Sequence, residues 1–202
     1  MRLLAFIFAG IGTFLISIPA AVAQPAQWVE FPAAQSRVEF AVFGLQTKPS
    51  RGWELQGGGG SNNRVRNYQY LWGVPFQGKA AFGRLFLAQL TDATSYFTTQ
   101  PDWKKMDTLP EFAKHDVVFA SGADGLVKTQ GLGSLRVRAF TSQGRHCLAF
   151  GGLTHAGSSS QLLYGEAVAS GDTSVRGYYC AAADTALTEA DIPNVMQALR
   201  FK

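Results

Sequence analysis

The residues of this chain that could do chemistry are two cysteines and three histidines, and their spacing matches no metal or redox motif. Cys147 and Cys180 are much farther apart than the cysteines of Cys-x-x-Cys metal and disulfide-exchange sites. His115, His146 and His155 form no His-Glu-x-x-His motif. The sequence therefore predicts neither a metal nor a cofactor.

A nucleophile activated by a histidine is the remaining catalytic arrangement to consider. His146 directly precedes Cys147, but neighbouring side chains on a strand point to opposite faces and cannot act as base and nucleophile. His155 lies beside the serines at 158–160, without a Gly-x-Ser-x-Gly or Ser-x-x-Lys motif. The sequence favours a protein without catalytic activity, and a small periplasmic or secreted hydrolase is the alternative.

The first 23 residues have the pattern of a secretory signal peptide. Arg2 precedes an uncharged apolar stretch, Pro19 interrupts it, and Ala21-Val22-Ala23 fits the small-x-small cleavage pattern. We expect residues 24–202 to be exported to the periplasm or the extracellular space as a single domain. The alternative is an uncleaved anchor, because about 20 apolar residues can span a bilayer.

Export determines how the cysteines and the charge are interpreted. In an oxidising compartment two cysteines most simply form one disulfide, here Cys147–Cys180. The whole chain carries a net charge of +4, and the signal peptide removes one basic residue, so the mature chain is mildly basic. Without a concentrated basic patch this predicts no nucleic-acid binding. We also expect no membrane span in the mature chain, because no later apolar stretch is long enough.

Hydrophobic patterning after the signal predicts an α+β fold of mainly antiparallel strands with a C-terminal amphipathic helix. Strand-like composition or alternation is found in several segments: 37–43, 67–74, 82–90, 135–140, 147–150, 162–168 and 175–180. Ile192, Val195, Met196 and Leu199 recur at helical spacing and predict the closing helix. Thr188 is predicted to cap the turn before it.

Two glycine-containing stretches are predicted to connect strands. Ser142-Gln143-Gly144 predicts the turn of a hairpin between the segments 135–140 and 147–150. Residues near 47–67 are predicted to form a mobile loop within the domain, because the run Gly57-Gly58-Gly59-Gly60 cannot pack and costs entropy to order.

Aromatic and basic residues around this loop form a candidate binding face. Its members flank the glycine run on both sides: Trp53, Arg64, Arg66, Tyr68, Tyr70 and Trp72. On a strand Tyr68, Tyr70 and Trp72 share one side, and this aromatic strip is either buried in the core or offered to a partner. Half-exposed aromatic side chains are typical of carbohydrate-binding and protein-binding faces.

The C-terminal third resembles the core of uncharacterised exported proteins from proteobacteria. The resemblance rests on the segments 133–140, Cys147-Leu148-Ala149-Phe150 and Gly177-Tyr178-Tyr179-Cys180, together with the closing helix. It implies a disulfide and a location in a bacterial envelope, and it brings no known activity.

These observations predict an exported envelope protein whose function is binding or assembly, with an envelope polymer or another envelope protein as partner. A structural subunit tethered by an uncleaved N-terminus is a further alternative. A deep pocket that holds His115, His146 or His155 within hydrogen-bond reach of a carboxylate or serine would favour the hydrolase. An exposed aromatic patch without such a group would favour binding.

The cleavage site is directly testable. We expect the exported protein to begin at Gln24, because Ala21-Val22-Ala23 fits the cleavage pattern. N-terminal sequencing or intact-mass measurement of the protein recovered from the exporting cell checks this. Retention of residues 1–23 would contradict the prediction and support the anchor.

Overall fold

Most of the regular secondary structure in the chain is antiparallel β-strand. The computed structural model describes residues 25–42, 44–56, 64–92, 95–155 and 171–202. Within these ranges the strands and the α-helix are, in chain order, β1 (Gln27–Phe31), β2 (Val38–Phe40), β3 (Arg51–Gln56), β4 (Val65–Trp72), β5 (Phe82–Leu90), β6 (Val118–Phe119), β7 (Gly125–Lys128), β8 (Ser134–Ser142), β9 (Arg145–Thr154), β10 (Thr173–Cys180), α1 (Ile192–Gln197) and β11 (Leu199–Phe201).

Nine of these strands form one antiparallel sheet. Its order is β1-β3-β4-β5-β10-β9-β8, and β6 and β7 both pair with the outer edge of β8. The remaining strands, β2 and β11, pair with each other. Because side chains alternate along every strand, the large sheet has two distinct faces, and each carries its own hydrophobic cluster.

The first face is buried beneath β2, β11 and α1. Phe40 of β2 makes edge-to-face contacts with three aromatic rings of the sheet, Trp72, Phe150 and Tyr179, at centroid distances of 5.6, 6.3 and 5.7 Å. Met196 of α1 is completely buried in the same cluster. This face supplies the larger of the two cores.

The second face is partly covered by residues 101–117, which we call the cover segment. Its buried side chains pack on those of β5, β8, β9 and β10: Trp103, Met106, Leu109 and Phe112. Gly151 permits the close approach, because a Cβ atom at this position would lie 2.5 Å from the Cβ atom of Trp103.

The disulfide joins two neighbouring strands beneath the cover segment. Cys147 of β9 and Cys180 of β10 are directly opposed in the sheet register, with Cα atoms 4.0 Å apart, and both are fully buried. The predicted Cys147–Cys180 bond is therefore confirmed. It links β9 and β10, which are adjacent at the centre of the sheet.

Several predicted elements are confirmed. The hairpin joins β8 to β9, and both Gln143 and Gly144 have positive φ, as expected for a tight two-residue turn. The segment 82–90 is a strand, and Thr188 forms a capping box with Asp191 before α1. The broad prediction of antiparallel strands with a C-terminal helix is correct, although the helical content is low.

Other elements differ from the prediction. Residues 51–56, placed in the loop near 47–67, form β3, because pairing with β1 and β4 satisfies its backbone groups. Leu199 belongs to β11 rather than to the helix. The glycine run, the segment 162–168 and the signal lie outside the described residues. Across the described ranges, no helix has the length and hydropathy of a membrane span.

Removal of the disulfide should destabilise this sheet. We expect the double variant Cys147→Ala/Cys180→Ala to lose about 2–5 kcal/mol of unfolding free energy, because the denatured chain is no longer constrained. Urea unfolding of the variant, compared with oxidised and reduced wild type, measures the loss. Free reaction of both thiols with an alkylating reagent in the unreduced native protein would contradict the bond.

Candidate functional site

The cover segment leaves part of the second face exposed. The hydrophobic cluster beneath it includes sheet residues of β5, β8, β9 and β10, and none of β1, β3 or β4. We call the uncovered part the open face. Its side chains come from five neighbouring strands: Trp28, Glu30, Arg51, Trp53, Leu55, Asn67, Gln69, Phe86, Ser174 and Arg176.

The sheet register aligns the central side chains of the open face. Glu30 pairs with Trp53, Trp53 with Gln69, Gln69 with Phe86, and Phe86 with Arg176, so these five residues form one row across five strands. Neighbouring strands lie about 4.8 Å apart. The row therefore presents a carboxylate, two aromatic rings, an amide and a guanidinium group on a rigid support.

A cleft of about 170 Å³ lies on this face. Its walls combine apolar, amide, hydroxyl and cationic groups, from Trp28, Asn67, Phe86, Pro101, Ser174 and Arg176 among others. Trp28 is 44% exposed, although it is a large aromatic residue. Pro101 begins the cover segment, so the edge of that segment forms one wall of the cleft.

A buried ionic group anchors the cover segment at the side of the cleft. The Glu111 carboxylate accepts hydrogen bonds from Arg84 Nη1 at 2.8 and 2.9 Å and from the Tyr178 hydroxyl at 2.6 Å. Burial, and secondarily the Glu111 carboxylate, raises the pKa of Tyr178 well above its usual value. Tyr178 therefore stays a neutral donor, and Glu111 compensates the charge of Arg84.

Phe86 lies between two guanidinium groups. The Cζ atoms of Arg84 and Arg176 are 5.3 and 5.0 Å from its ring centroid. Both are cation–π distances, and Phe86 and Arg176 both line the cleft. Arg176 is half-buried, and this burial lowers its pKa.

The aromatic strip on the candidate binding face belongs to the core. Tyr68, Tyr70 and Trp72 are 7%, 1% and 1% exposed and contribute to the first face. Phe31 and Phe40 pack edge-on against these rings. Of the two alternatives for this strip, burial is correct, because Phe31 of β1 and Phe40 of β2 cover the three rings.

The other members of the candidate binding face are separated by the sheet. Trp53 lies on the open face, with the Arg51 guanidinium 4.9 Å from its ring centroid. Arg64 and Arg66 are exposed, and Arg64 Nε lies 4.0 Å from an Asp92 carboxylate oxygen. Alternation along β4 places Arg66 on the side of Tyr68, away from Trp53. The structure therefore assigns only Trp53 to the open face.

The histidines are dispersed. His115 Nδ1 lies 2.7 Å from the Gln143 amide nitrogen, and His146 is exposed on β9. His155 Nδ1 is 3.6 Å from an Asp172 carboxylate oxygen in a cavity of about 340 Å³ that Ser95 also lines. This is the best-placed histidine for the hydrolase alternative, which stays a prediction. The serines at 158–160 lie outside the described residues.

A further cavity, of about 370 Å³, lies between α1 and the first face. It is lined mainly by apolar and small side chains, among them Ala41, Leu187, Val195 and Ala198. Its acidic residue, Asp191, accepts hydrogen bonds from Thr188 in the capping box. The other polar side chains of its lining are Tyr179, Thr185 and Asn194, and unlike the cleft of the open face the lining contains no cation.

Comparisons give this chain no relative from which to transfer a function. No protein-family model, curated protein or solved structure matches it. Among the described residues, no group of three His, Cys, Asp or Glu side chains is arranged to hold a metal ion. Function must therefore be inferred from the chemistry of the open face.

Most residues of the open face were not identified from the sequence. One signal was present: Arg84 and Phe86 in β5, and Arg176 and Tyr178 in β10, alternate with apolar residues of the first face. In each strand a basic residue and an aromatic residue lie two positions apart and therefore on the same side. Basic residues at such positions indicate that this side of the sheet is not a purely hydrophobic core. Their convergence at one cleft depends on the pairing of β5 with β10, which the sequence does not specify.

The raised pKa of Tyr178 predicts a dependence of stability on alkaline pH. The pKa of the Tyr178 hydroxyl is higher in the folded state than in the unfolded state, where it is about 10. The contribution of Tyr178 to the free energy of unfolding is therefore complete below about pH 10 and decreases as the pH rises above that value. We expect Tyr178→Phe to lose about 1.5–3 kcal/mol at pH 8, where the bond to Glu111 is intact. Between pH 8 and pH 11 the variant should lose less stability than wild type.

Urea unfolding at the two pH values measures both effects. Tyr96→Phe is the matched control, because Tyr96 is 55% exposed and lies away from Glu111. Equal pH dependence in wild type and Tyr178→Phe would show that Tyr178 does not carry this linkage.

Proposed function

We propose that this chain is an exported, non-catalytic protein of the bacterial envelope that binds a linear polysaccharide on its open face. The observation that carries the proposal is the row of Trp53, Gln69, Phe86 and Arg176 beside a cleft lined by Trp28. Partly exposed aromatic side chains with interleaved polar groups are typical of binding surfaces.

The chemistry of the face suits a carbohydrate. Aromatic rings pack against the apolar C–H faces of sugar rings, while amide and hydroxyl groups exchange hydrogen bonds with sugar hydroxyls. Trp28 and Trp53 supply the rings, and Asn67, Gln69 and Ser174 supply the polar groups. Because the row crosses the strands, a linear polymer lying along it contacts Trp53, Gln69 and Arg176 in succession, and Trp28, Asn67 and Ser174 line the cleft beside it.

The shape of the face also supports a polymer over a folded protein partner. A standard protein interface buries about 800 Å² on each partner and has a tightly packed apolar centre. Here the site is a narrow cleft of about 170 Å³ that Trp28 and Pro101 both line, and Gln69 and Arg176 lie among the aromatic side chains beside it. Concave sites with a few convergent polar groups are typical of small or slender ligands.

Two features support export. The Cys147–Cys180 disulfide is of the kind that persists in oxidising compartments. The signal-peptide pattern of residues 1–23 supports secretion. The resemblance of the C-terminal third supports a location in a bacterial envelope. Periplasm and cell exterior both satisfy these features.

Substitution of the tryptophans tests the proposal. We expect Trp28→Ala and Trp53→Ala each to weaken polysaccharide binding about tenfold, because each removes a sugar-stacking surface worth about 1.4 kcal/mol. Affinity electrophoresis against a panel of neutral and acidic linear polysaccharides measures binding. Both side chains are partly exposed, so unfolding stability should change little.

Tyr96→Ala is the matched control, since it removes an exposed aromatic ring that lies outside the open face. Binding that is lost equally in Tyr96→Ala would contradict the assignment of the site. Failure of wild type to bind any polymer of the panel would overturn the proposed function, as would capture of an envelope protein that requires Trp28 and Trp53.

A further inference from the structure

Arg176 is a half-buried cation whose charge is not matched by an acidic partner. Within the described ranges its guanidinium group makes neither a hydrogen bond nor an ion pair, and its contact is the Phe86 ring. Partial burial removes water from a charged group and carries a cost unless another charge or hydrogen bond replaces the water. The lowered pKa of Arg176, caused chiefly by this burial, is consistent with that cost.

The two acidic groups that act on Arg176 already have other partners. They are Asp102 and Glu111, both on the cover segment. Asp102 lies 2.8 Å from Lys105 Nζ, and Glu111 binds Arg84. The local charge therefore leaves Arg176 as the uncompensated cation beside the cleft.

Other arginines of the sheet show how such a group is satisfied when its role is structural. Arg145 is buried, and its Nη1 donates to the carbonyl oxygens of Ala80 and Ala181 at 2.9 and 3.1 Å. Arg84 is ion-paired with Glu111. Arg176 has neither arrangement, and it lines the cleft of the open face.

We propose that Arg176 recognises a carboxylate of the bound polymer, and that the polysaccharide on the open face is an acidic one with carboxylate-bearing sugar units. This inference rests on the proposed function. A guanidinium group presents a planar fork of donors that matches a carboxylate in a two-pronged hydrogen-bonded pair. Trp28 would pack on the sugar ring, while Asn67 and Ser174 contact its hydroxyls in the same cleft.

A single unpaired arginine favours a carboxylate over a sulfate or phosphate ester. Phosphorylated ligands are typically recognised by clusters of arginines. In this cleft the lining contains one cation, Arg176, and the neighbouring Arg84 is held by Glu111. A planar monoanion matches one guanidinium group both in charge and in geometry.

The test compares polygalacturonate with its fully methyl-esterified form, which keeps the sugar chain and removes the charge. We expect wild type to bind the acidic polymer about tenfold or more tightly than the ester, because a charge-assisted pair is added. Arg176→Gln should abolish this preference and change ester binding less than twofold. Arg176→Lys, which keeps the charge without the planar fork, should retain only part of the preference.

Arg200→Gln is the matched control, because it removes one exposed positive charge from β11, away from the open face. Persistence of the preference in folded Arg176→Gln would overturn the inference. Equal loss in Arg200→Gln, or wild-type binding of dextran sulfate as tight as that of polygalacturonate, would also overturn it by indicating general charge attraction.

The two proposals fail in different ways. If the open face binds polysaccharide without selecting acidic sugars, wild type and Arg176→Gln bind both polymers equally, and Trp53→Ala weakens both. If the open face is not the site, Trp53→Ala leaves binding of both polymers unchanged. Circular dichroism and urea unfolding of each variant establish that a loss of binding is not a loss of fold.

Discussion

The carboxylate of Glu111 holds the cover segment against the large sheet. It accepts hydrogen bonds from Arg84 on β5 and Tyr178 on β10, and thereby connects a segment with little regular structure to two central strands. A buried charge is tolerated only when it is paired and hydrogen-bonded, so the three groups must lie close together. Hydrophobic packing of Trp103 and Phe112 fills the space beside them.

The position of this anchor determines what the rest of the second face can do. Residues 101–117 shield the disulfide and the aromatic cluster of β5, β8, β9 and β10, while the side chains of β1, β3 and β4 remain outside that cluster. The cleft lies at the boundary between the covered and uncovered parts, and Pro101 forms part of the wall of the cleft. One face of a single sheet thus contributes both a hydrophobic core and the open face.

The same anchor separates the roles of two arginines that contact one phenylalanine. Arg84 and Arg176 both lie over Phe86, yet only Arg84 reaches the Glu111 carboxylate. The difference gives one neutral pair and one uncompensated cation on the same surface. Both side chains are supported by paired strands rather than by loops, and a rigid support of this kind holds recognition groups in a defined geometry.

The sequence by itself determined the features that depend on local pattern. Alternation identified the strand around residues 135–140, while at 82–90 the periodicity fitted both helix and strand and the poor helix formers that follow favoured the strand. The Gln143-Gly144 turn specified a hairpin, and the two cysteines allowed only one intramolecular disulfide. Only the tertiary structure decided which faces were buried. Tyr70 and Trp53 belong to neighbouring strands of similar aromatic character, but β2 and α1 cover one side, and the cover segment leaves the other side open at Trp53. Burial depends on which distant segments pack on a face, and no local pattern carries that information.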